Sequence, residues 1–411
     1  MTRVGLRSTA SGHSAMAATV VAVPDRPWVP SLLAGLAGLV LVLTLVLVNG
    51  GGISSLVHGA PPFTNPVTAP DSLTVRPGDQ GFDGQFYYRL SVSPRSTKGE
   101  IAGVRLDLPA LRSQRILYPT IVWAVSGGGR PTAVPWAMVL VNLAAISAVG
   151  AIGGALAISS GRHALWGLAF AMYPGFVYSI GFDLAEVLAA AFLLAGLLFA
   201  RRRRWVATAV FLSFAVLTRE TTAIVPISLG LAWLWDRRQA VSPRIGPISR
   251  GRLMAGIVPL AIAVGWQLDV RARWGQFPLA SSGDKNLRFP FAGLADTFGK
   301  MLPPSSGAEA FRWLSLGFVV GVLGLGFVAI RRSTAESHEK IALVAGTILL
   351  TLLSPFIWGG ATSFMRATTE SCLLAILVIL GAPRPNIRHL LIAPIGVIAA
   401  VTAASEVAKA R

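Results

Sequence analysis

The chain has 411 residues, of which 53% are hydrophobic and only 13% are charged, and its formal net charge is +18. Soluble domains carry roughly 25% charged residues, so this composition excludes a string of soluble domains. The single cysteine, Cys372, excludes an intrachain disulfide, and the five scattered histidines make a histidine-based metal site improbable.

Apolar stretches long enough to span a membrane occur along most of the chain, so we expect an all-α, polytopic helical membrane protein. The predicted spans, eleven in number, lie near 29–49, 131–158, 163–181, 184–200, 205–218, 221–235, 253–270, 312–330, 340–358, 367–382 and 389–405. The apolar segment 115–129 is too short to span, and we expect it to lie in the outer leaflet. The first span follows a basic tail but no small-residue cleavage site follows it, which favours a retained anchor.

The basic residues agree with this topology. With the N-terminus inside, the strongly basic connections 160–163, 201–204, 236–252, 331–340 and 383–389 all face the cytoplasm. Lys and Arg concentrate in cytoplasmic loops of membrane proteins. The net charge is therefore mostly a topology signal, and we expect no nucleic-acid partner.

Polar and ionisable side chains gather at the external ends of the predicted spans. They lie in five separate turns and comprise Asp83, Gln85, Tyr87, Tyr88, Arg89, Arg115, Tyr118, Asp183, Glu186, Arg219, Glu220, Arg366 and Glu370. Ionisable residues at membrane depth are costly and therefore indicate a functional site. The cytoplasmic loops carry charges but no comparable cluster of acid, amide and aromatic side chains.

Each of these residues also has an ordinary structural explanation. Asp83 is placed to cap the helix that begins "GQFYYRL", because Asp is a favoured N-cap. Asp183 and Glu186, three residues apart, are consistent with a solvated helix start. The remaining alternatives are an interfacial aromatic belt for Tyr87 and Tyr88, an ion pair between Arg219 and Glu220, and lipid-headgroup contacts for Arg115 and Arg366.

Three motifs carry a family resemblance. They are "GFDGQFYYRLSVSP" (81–94), "RILYPTIVWAVSGG" (115–128) and "LTRETTAIVPISL" (217–229). Together they resemble bacterial multispan proteins linked to cell-surface glycopolymer formation and, more broadly, the GT-C superfamily of membrane glycosyltransferases. The resemblance covers roughly residues 29–235.

The resemblance implies a transferase that takes a sugar from a polyprenyl-phosphate donor. The acceptor would be a cell-envelope glycan, lipid or protein on the external face of the plasma membrane, and Asp83 matches the loop acid often assigned as the catalytic base. The implied organisation is a cytoplasmic tail (1–28), a GT-C-like catalytic membrane module (29–270) and a C-terminal part (271–411). The module includes a large external loop (50–130) bearing short interfacial helices, and the C-terminal part begins with a second external loop.

The chemistry of the residues supports the same assignment. A carboxylate such as Asp83 can remove the proton of an acceptor hydroxyl. Arginines bind phosphate through their planar fork of donors, which suits Arg115, Arg219 and Arg366. The expected substrate-binding residues are Gln85, Tyr87, Tyr88, Tyr118, Asp183, Glu186 and Glu220. We expect no cofactor and no metal, because arginines can neutralise the leaving phosphate.

Two other classes remain open. A transporter or flippase of lipid-linked sugars would need polar groups near the bilayer midplane, often on broken helices. A non-catalytic protein of glycopolymer assembly would bind a glycolipid without turning it over.

Overall fold

The structure is a computed structural model that describes residues 25–50, 52–239, 250–282, 286–300 and 306–409. The predicted cytoplasmic tail, the basic connection 236–252 and the second external loop therefore lie partly outside the described residues. The helices are α1 (Trp28–Asn49), α2 (Gly84–Val92), α3 (Pro109–Ser113), α4 (Leu117–Val125), α5 (Val134–Ser159), α6 (Leu168–Ala171), α7 (Gly175–Gly181), α8 (Glu186–Arg201), α9 (Trp205–Thr218), α10 (Ile224–Gln239), α11 (Arg250–Trp274), α12 (Pro278–Ser282), α13 (Ala292–Lys300), α14 (Gly307–Ile330), α15 (Ser337–Thr351), α16 (Pro355–Trp358), α17 (Ala361–Ala367), α18 (Thr369–Leu380) and α19 (Pro385–Lys409). Short 3₁₀ turns cover Ile53–Val57, Ala164–Gly167 and Glu220–Ala223.

Within the described residues, five helices are long and apolar enough to cross a membrane, namely α1, α5, α11, α14 and α19. The number rises to seven if two bent pairs each form one span: Ala164–Ala171 with α7, bent by 66°, and α17 with α18, bent by 55°. The prediction of a mostly helical membrane protein is confirmed. Helices α8, α9, α10 and α15 lie at four further predicted spans but have only 14 to 16 residues.

Helix α18 lies at the centre of the bundle. Each of its residues from Thr369 to Leu380 is buried, and it contacts α14, α15, α17 and α19. A helix that is apolar on all sides is stable only when it is surrounded, which here is achieved by its neighbours. Its first turn carries Glu370, and the preceding α17 carries Arg366. A helix that is buried along its whole length therefore leads directly into the polar cluster.

The loop 50–130, which the sequence predicts to be external, is folded upon itself. Strands β1 (Glu100–Ile101) and β2 (Val104–Arg105) pair antiparallel, and α2, α3 and α4 are the short helices that the sequence led us to expect in this loop. The Gln85 side chain lies inside the loop, where its Oε1 accepts hydrogen bonds from Ala60 N at 3.2 Å and Thr64 Oγ1 at 2.7 Å. Gln85 thus fixes α2 against the start of the loop.

An ionic network lies at the C-terminal end of α8. Arg201 donates from Nε and Nη2 to the two carboxylate oxygens of Glu339 at 2.6 and 2.8 Å, which joins α8 to α15. The Glu339 side chain is fully buried, and Arg203 pairs with Glu336 at 3.3 Å nearby. The charge at the C-terminal end of α8 is therefore neutralised by a helix from the second half of the chain.

Replacing Arg201 by Ala should destabilise the protein by about 3–5 kcal/mol, because the buried Glu339 carboxylate would lose its partner. Unfolding of the purified protein in detergent, followed by heat or denaturant, measures the change. The matched control is Arg202→Ala, at an exposed neighbouring position. Equal stability of the two variants would contradict this assignment.

Candidate functional site

A cavity of about 310 Å³ opens between α2, the region around α3, and α16–α17. Four arginines and the carboxylate of Asp83 line it, together with Tyr87; the arginines are Arg112, Arg115, Arg219 and Arg366. The three arginines expected from the sequence are thus brought together with the expected acid. The fourth, Arg112, was not expected.

Asp83 occupies the N-cap position of α2, but its side chain makes no capping hydrogen bond. Its Oδ1 accepts from Arg112 Nη1 at 2.8 Å and its Oδ2 accepts from Arg366 Nη2 at 3.0 Å. The carboxylate is 24% exposed and lies in the cavity wall. The carboxylate therefore bridges two arginines instead of closing the helix end.

The two arginines also set the protonation state of Asp83. Burial by itself raises the pKa of the carboxyl, but the charges of Arg112 and Arg366 outweigh it and, with a contribution from Arg115, hold the pKa well below its usual range. A proton acceptor works best when its pKa lies near the operating pH. In this arrangement Asp83 is ionised and a weak base.

The glycine that follows Asp83 allows α2 to sit close to the bundle. A Cβ at Gly84 would lie 2.7 Å from the carbonyl oxygen of Val57 and closer still to that of Phe182. The aromatic ring of Phe82 stacks on Phe182 with centroids 4.4 Å apart. A residue without a side chain is therefore required immediately after the acid, a feature of the "FDG" motif for which no reason was evident in the sequence.

Behind Asp83, a buried chain of charges runs into the bundle. Arg366 donates from Nε to Glu186 Oε1 at 2.9 Å. Arg219 Nη1 donates to the backbone oxygen of Arg366 at 2.9 Å and lies 3.4 Å from Glu370 Oε1. Thr221 donates a hydrogen bond to the same Glu370 oxygen. All four charged residues are at most 8% exposed, so each charge depends on its neighbours for neutralisation.

Arg115 and Glu220 form a separate two-point ion pair beside the cavity. Arg115 donates from Nε and Nη2 to the two Glu220 oxygens at 2.9 and 2.6 Å, and from Nη1 to Tyr87 Oη at 3.4 Å. Burial raises the pKa of Glu220, but Arg115 outweighs it and lowers the pKa to about 2. The Glu220 carboxylate is therefore hydrogen-bonded to Arg115, and not to Arg219 as the alternative of an Arg219–Glu220 ion pair required.

Six of the seven expected substrate-binding residues, all but Tyr87, lie away from the cavity lining. Gln85 holds the loop, and Tyr88 is fully buried with its hydroxyl 3.4 Å from the Pro131 carbonyl oxygen. Tyr118 is fully buried and donates to the Asp183 backbone oxygen at 3.4 Å. Their described contacts are with the protein itself.

Asp183 lies deeper than the sequence suggested. It adopts a left-handed backbone with φ of 50°, so it precedes α8 and does not share a helix face with Glu186. Its Oδ1 accepts from Asn142 Nδ2 at 3.5 Å, and among the described residues its Oδ2 has no hydrogen-bond donor. Asn142, on α5, was not among the expected residues.

The sequence reasoning also missed Asp107 and Arg112. Arg112 donates from Nε and Nη2 to the two Asp107 oxygens, each at 2.8 Å, and its guanidinium lies 4.3 Å from the centre of the Phe86 ring. The signal available was an acid and a base five residues apart in the same loop as Asp83. Charges in an aqueous loop are ordinary, so that signal is weak.

The charges of the cluster nearly cancel. Four guanidinium groups face five carboxylates, which belong to Asp83, Asp107, Glu186, Glu220 and Glu370. In the described parts of the chain, no three His, Cys, Asp or Glu side chains gather in a way that could hold a metal ion. The arrangement is suited to an anion only if an arginine exchanges one of its carboxylate partners for it.

The pair between Arg115 and Glu220 should make stability depend on pH. The lowered pKa means that the stabilisation is complete above the ordinary Glu pKa of 4.5 and is lost as the pH falls toward about 2. We therefore expect Glu220→Gln to melt at a lower temperature than the wild type at pH 7, with the gap narrowing below pH 4.5. Thermal melts in detergent at several pH values test this, and a gap that stays constant down to pH 3 would contradict it.

The chain matches no protein-family model, and no curated protein matches it.

Proposed function

We propose that this chain is an integral membrane glycosyltransferase that moves a sugar from a polyprenyl-phosphate donor to a cell-envelope glycan, lipid or protein acceptor. The observation that carries the proposal is the Asp83 carboxylate in the wall of a cavity lined by four arginines. One acid that can accept a proton and several donors for a phosphate are the groups that this reaction requires.

The cavity suits a small polar group joined to a phosphate. Its volume of about 310 Å³ lies at the lower end of the range for ligand sites, roughly 300–1,000 Å³. Guanidinium groups bind phosphate oxygens through parallel N–H donors. Tyr87 and Phe86 add aromatic wall on which a sugar can pack.

An apolar groove offers a place for the lipid tail of the donor. It has a volume of about 530 Å³ and lies between α4, α5, α8 and α9, with Ile121 and Val125 of α4 on one wall. Helix α4 begins two residues after Arg115, so one short helix connects the arginine cluster with the groove. An isoprenoid chain matches the purely apolar lining.

The proposed setting is the plasma membrane, with the cavity facing outside. In this arrangement α8, α9, α10 and α15 complete eleven spans, and the Arg201–Glu339 network faces the cytoplasm. Clustered basic residues at 201–204 favour this orientation.

Replacing Asp83 by Asn should lower turnover by about 10²–10⁴-fold, because Asn cannot accept the proton of the acceptor. The Asp83 side chain makes no capping hydrogen bond, so loss of its charge should leave helix α2 in place. Release of polyprenyl phosphate from labelled polyprenyl-phosphate sugars, measured with purified protein in detergent, gives the rate.

The matched control is Asp79→Asn, which removes the same charge from an exposed position of the same loop. A thermal melt of each variant separates loss of catalysis from loss of folding. Wild-type turnover in Asp83→Asn would remove Asp83 from the mechanism and leave Glu186 and Glu220 as the acids to examine.

The orientation can be tested with single cysteines after Cys372 is replaced by Ser. Asp79→Cys should react with a membrane-impermeant maleimide in intact cells, whereas Arg202→Cys should react only after the membrane is permeabilised. Both positions are exposed in the structure, so an absent reaction reports sidedness rather than burial. Labelling of Arg202→Cys in intact cells would refute the proposed topology.

A transporter of lipid-linked sugars is the second candidate, because one polar pair lies well inside the bundle. Asn142 is eight residues from the start of α5, about 12 Å along the helix, and contacts the buried Asp183. A transferase consumes the labelled donor in detergent, where there are no compartments. A transporter acts only across a sealed membrane, so transport by proteoliposomes without consumption of the donor would favour this candidate.

A further inference from the structure

We propose that the phosphate of the donor displaces the Asp83 carboxylate from Arg112 and Arg366, so that donor binding itself frees the base. This inference rests on the proposed function and deepens it. It assigns Arg112 as a phosphate-binding residue and makes Asp83 an occupant of the anion site until the donor arrives.

The balance of charge makes an exchange necessary. The four arginines around the cavity are already matched by five carboxylates, and Arg112 uses Nε, Nη1 and Nη2 on Asp107 and Asp83. A phosphate that entered without displacing an acid would add a sixth negative charge to a group in which carboxylates already outnumber arginines by one. Exchange of one carboxylate for the phosphate keeps the number of anions that the arginines must neutralise at five.

Asp83 is the carboxylate best placed to leave. Asp107 and Glu220 each hold one arginine by two parallel hydrogen bonds, and Glu186 is only 1% exposed. Asp83, by contrast, receives a single N–H from each of two arginines and is 24% exposed at the cavity wall. Single contacts at an accessible position are the easiest to replace.

A phosphodiester can take over both contacts. Its two non-bridging oxygens can accept from Arg112 Nη1 and Arg366 Nη2, as the two oxygens of Asp83 do now. Both groups carry one negative charge, so the arginines keep the same formal neutralisation. The freed carboxylate then lies beside an anion instead of between two cations, which makes it a stronger base.

The transfer step then balances. The acceptor oxygen forms a bond to the anomeric carbon while its proton passes to Asp83. The bond between that carbon and the phosphate oxygen breaks, and the phosphate keeps the electron pair as an anion held by Arg112 and Arg366. The base is thus made available only when the leaving group is already in place.

The ionisable groups that face Asp83 determine whether it takes up a proton when phosphate binds. They are Tyr87 on its own helix, Arg112 from α3, Arg115 before α4, Arg366 from α17, and Glu186 from α8 through Arg366. Engagement of Arg112 and Arg366 by phosphate removes the two largest influences that favour ionised Asp83. Binding near pH 5 should therefore be accompanied by proton uptake at Asp83.

The first measurement is binding of a short-chain isoprenyl methyl phosphodiester to the purified full chain in detergent. This probe has no sugar to transfer and does not titrate near neutral pH. Asp83→Asn should bind it on the order of tenfold more tightly, because the competing negative charge is gone. A hydrogen bond to a charged group contributes enough free energy for a change in affinity of that size. Arg112→Gln should bind it at least about tenfold more weakly than the wild type does, because one donor to the phosphate is gone. Asp79→Asn should bind it with wild-type affinity.

The second measurement is calorimetry of the same binding at pH 5 in two buffers of different ionisation enthalpy. The wild type should take up a fraction of a proton, and Asp83→Asn should take up none. Equal or weaker binding by Asp83→Asn, no proton uptake by the wild type, or no binding of the probe would each overturn the exchange.

The two proposals fail separately. Sugar transfer with no proton uptake on binding would refute the exchange and leave the glycosyltransferase intact. Tighter binding by Asp83→Asn with proton uptake by the wild type, but without consumption of any polyprenyl-phosphate sugar, would keep the exchange and refute the transferase. The wild-type calorimetry needs no variant, so the test survives a variant that fails to fold.

Discussion

The site depends on one guanidinium group, that of Arg366. Its side chain links Glu186 of the bundle to Asp83 of the loop 50–130, and its backbone oxygen receives a hydrogen bond from Arg219. A buried charge is costly unless its partners are well placed, so the position of each neighbour is fixed by the need to neutralise this group. Loop and bundle are thereby held together at the cavity.

The break between α17 and α18 makes this arrangement possible. The two helices meet at 55°, and Arg366 lies in the last turn of α17. Carbonyl groups in the last turn of a helix have no partner within it. Here the free oxygen of Arg366 accepts from Arg219 Nη1 and from Thr369 Oγ1. A continuous helix would have used that oxygen for its own next turn.

Much of the fold could be predicted because hydropathy reports directly on lipid-facing helices. Each predicted span has a helix near it. The predicted span 340–358 is divided, however, because α15 ends at Thr351 and a new helix, α16, begins at Pro355, whose ring cannot lie in the interior of a continuous helix. The number of full crossings could not be predicted in this way. Several helices are shortened by turns that the apolar pattern does not mark.

The sequence predicted which acid and arginines line the cavity better than it predicted which of them form ion pairs. Asp83 and the three expected arginines do line one cavity. The adjacency of Arg219 and Glu220 was misleading, because Arg219 has extended backbone angles of −156° and 122°, and successive side chains of an extended chain point to opposite sides. Arg112 was not predicted because its contact with Asp83 joins residues 29 positions apart, which no local sequence pattern reveals.

The attachment of α3 to α11 has a consequence for Arg112. The indole nitrogens of Trp266 and Trp274 donate to the backbone and hydroxyl oxygens of Ser113, the residue after Arg112. Most of α11 faces outward from the bundle, since only 22% of its apolar window is buried. Two tryptophans thus tie this outward-facing helix to α3. A displacement of α11 would therefore be passed on to the arginine that holds Asp83.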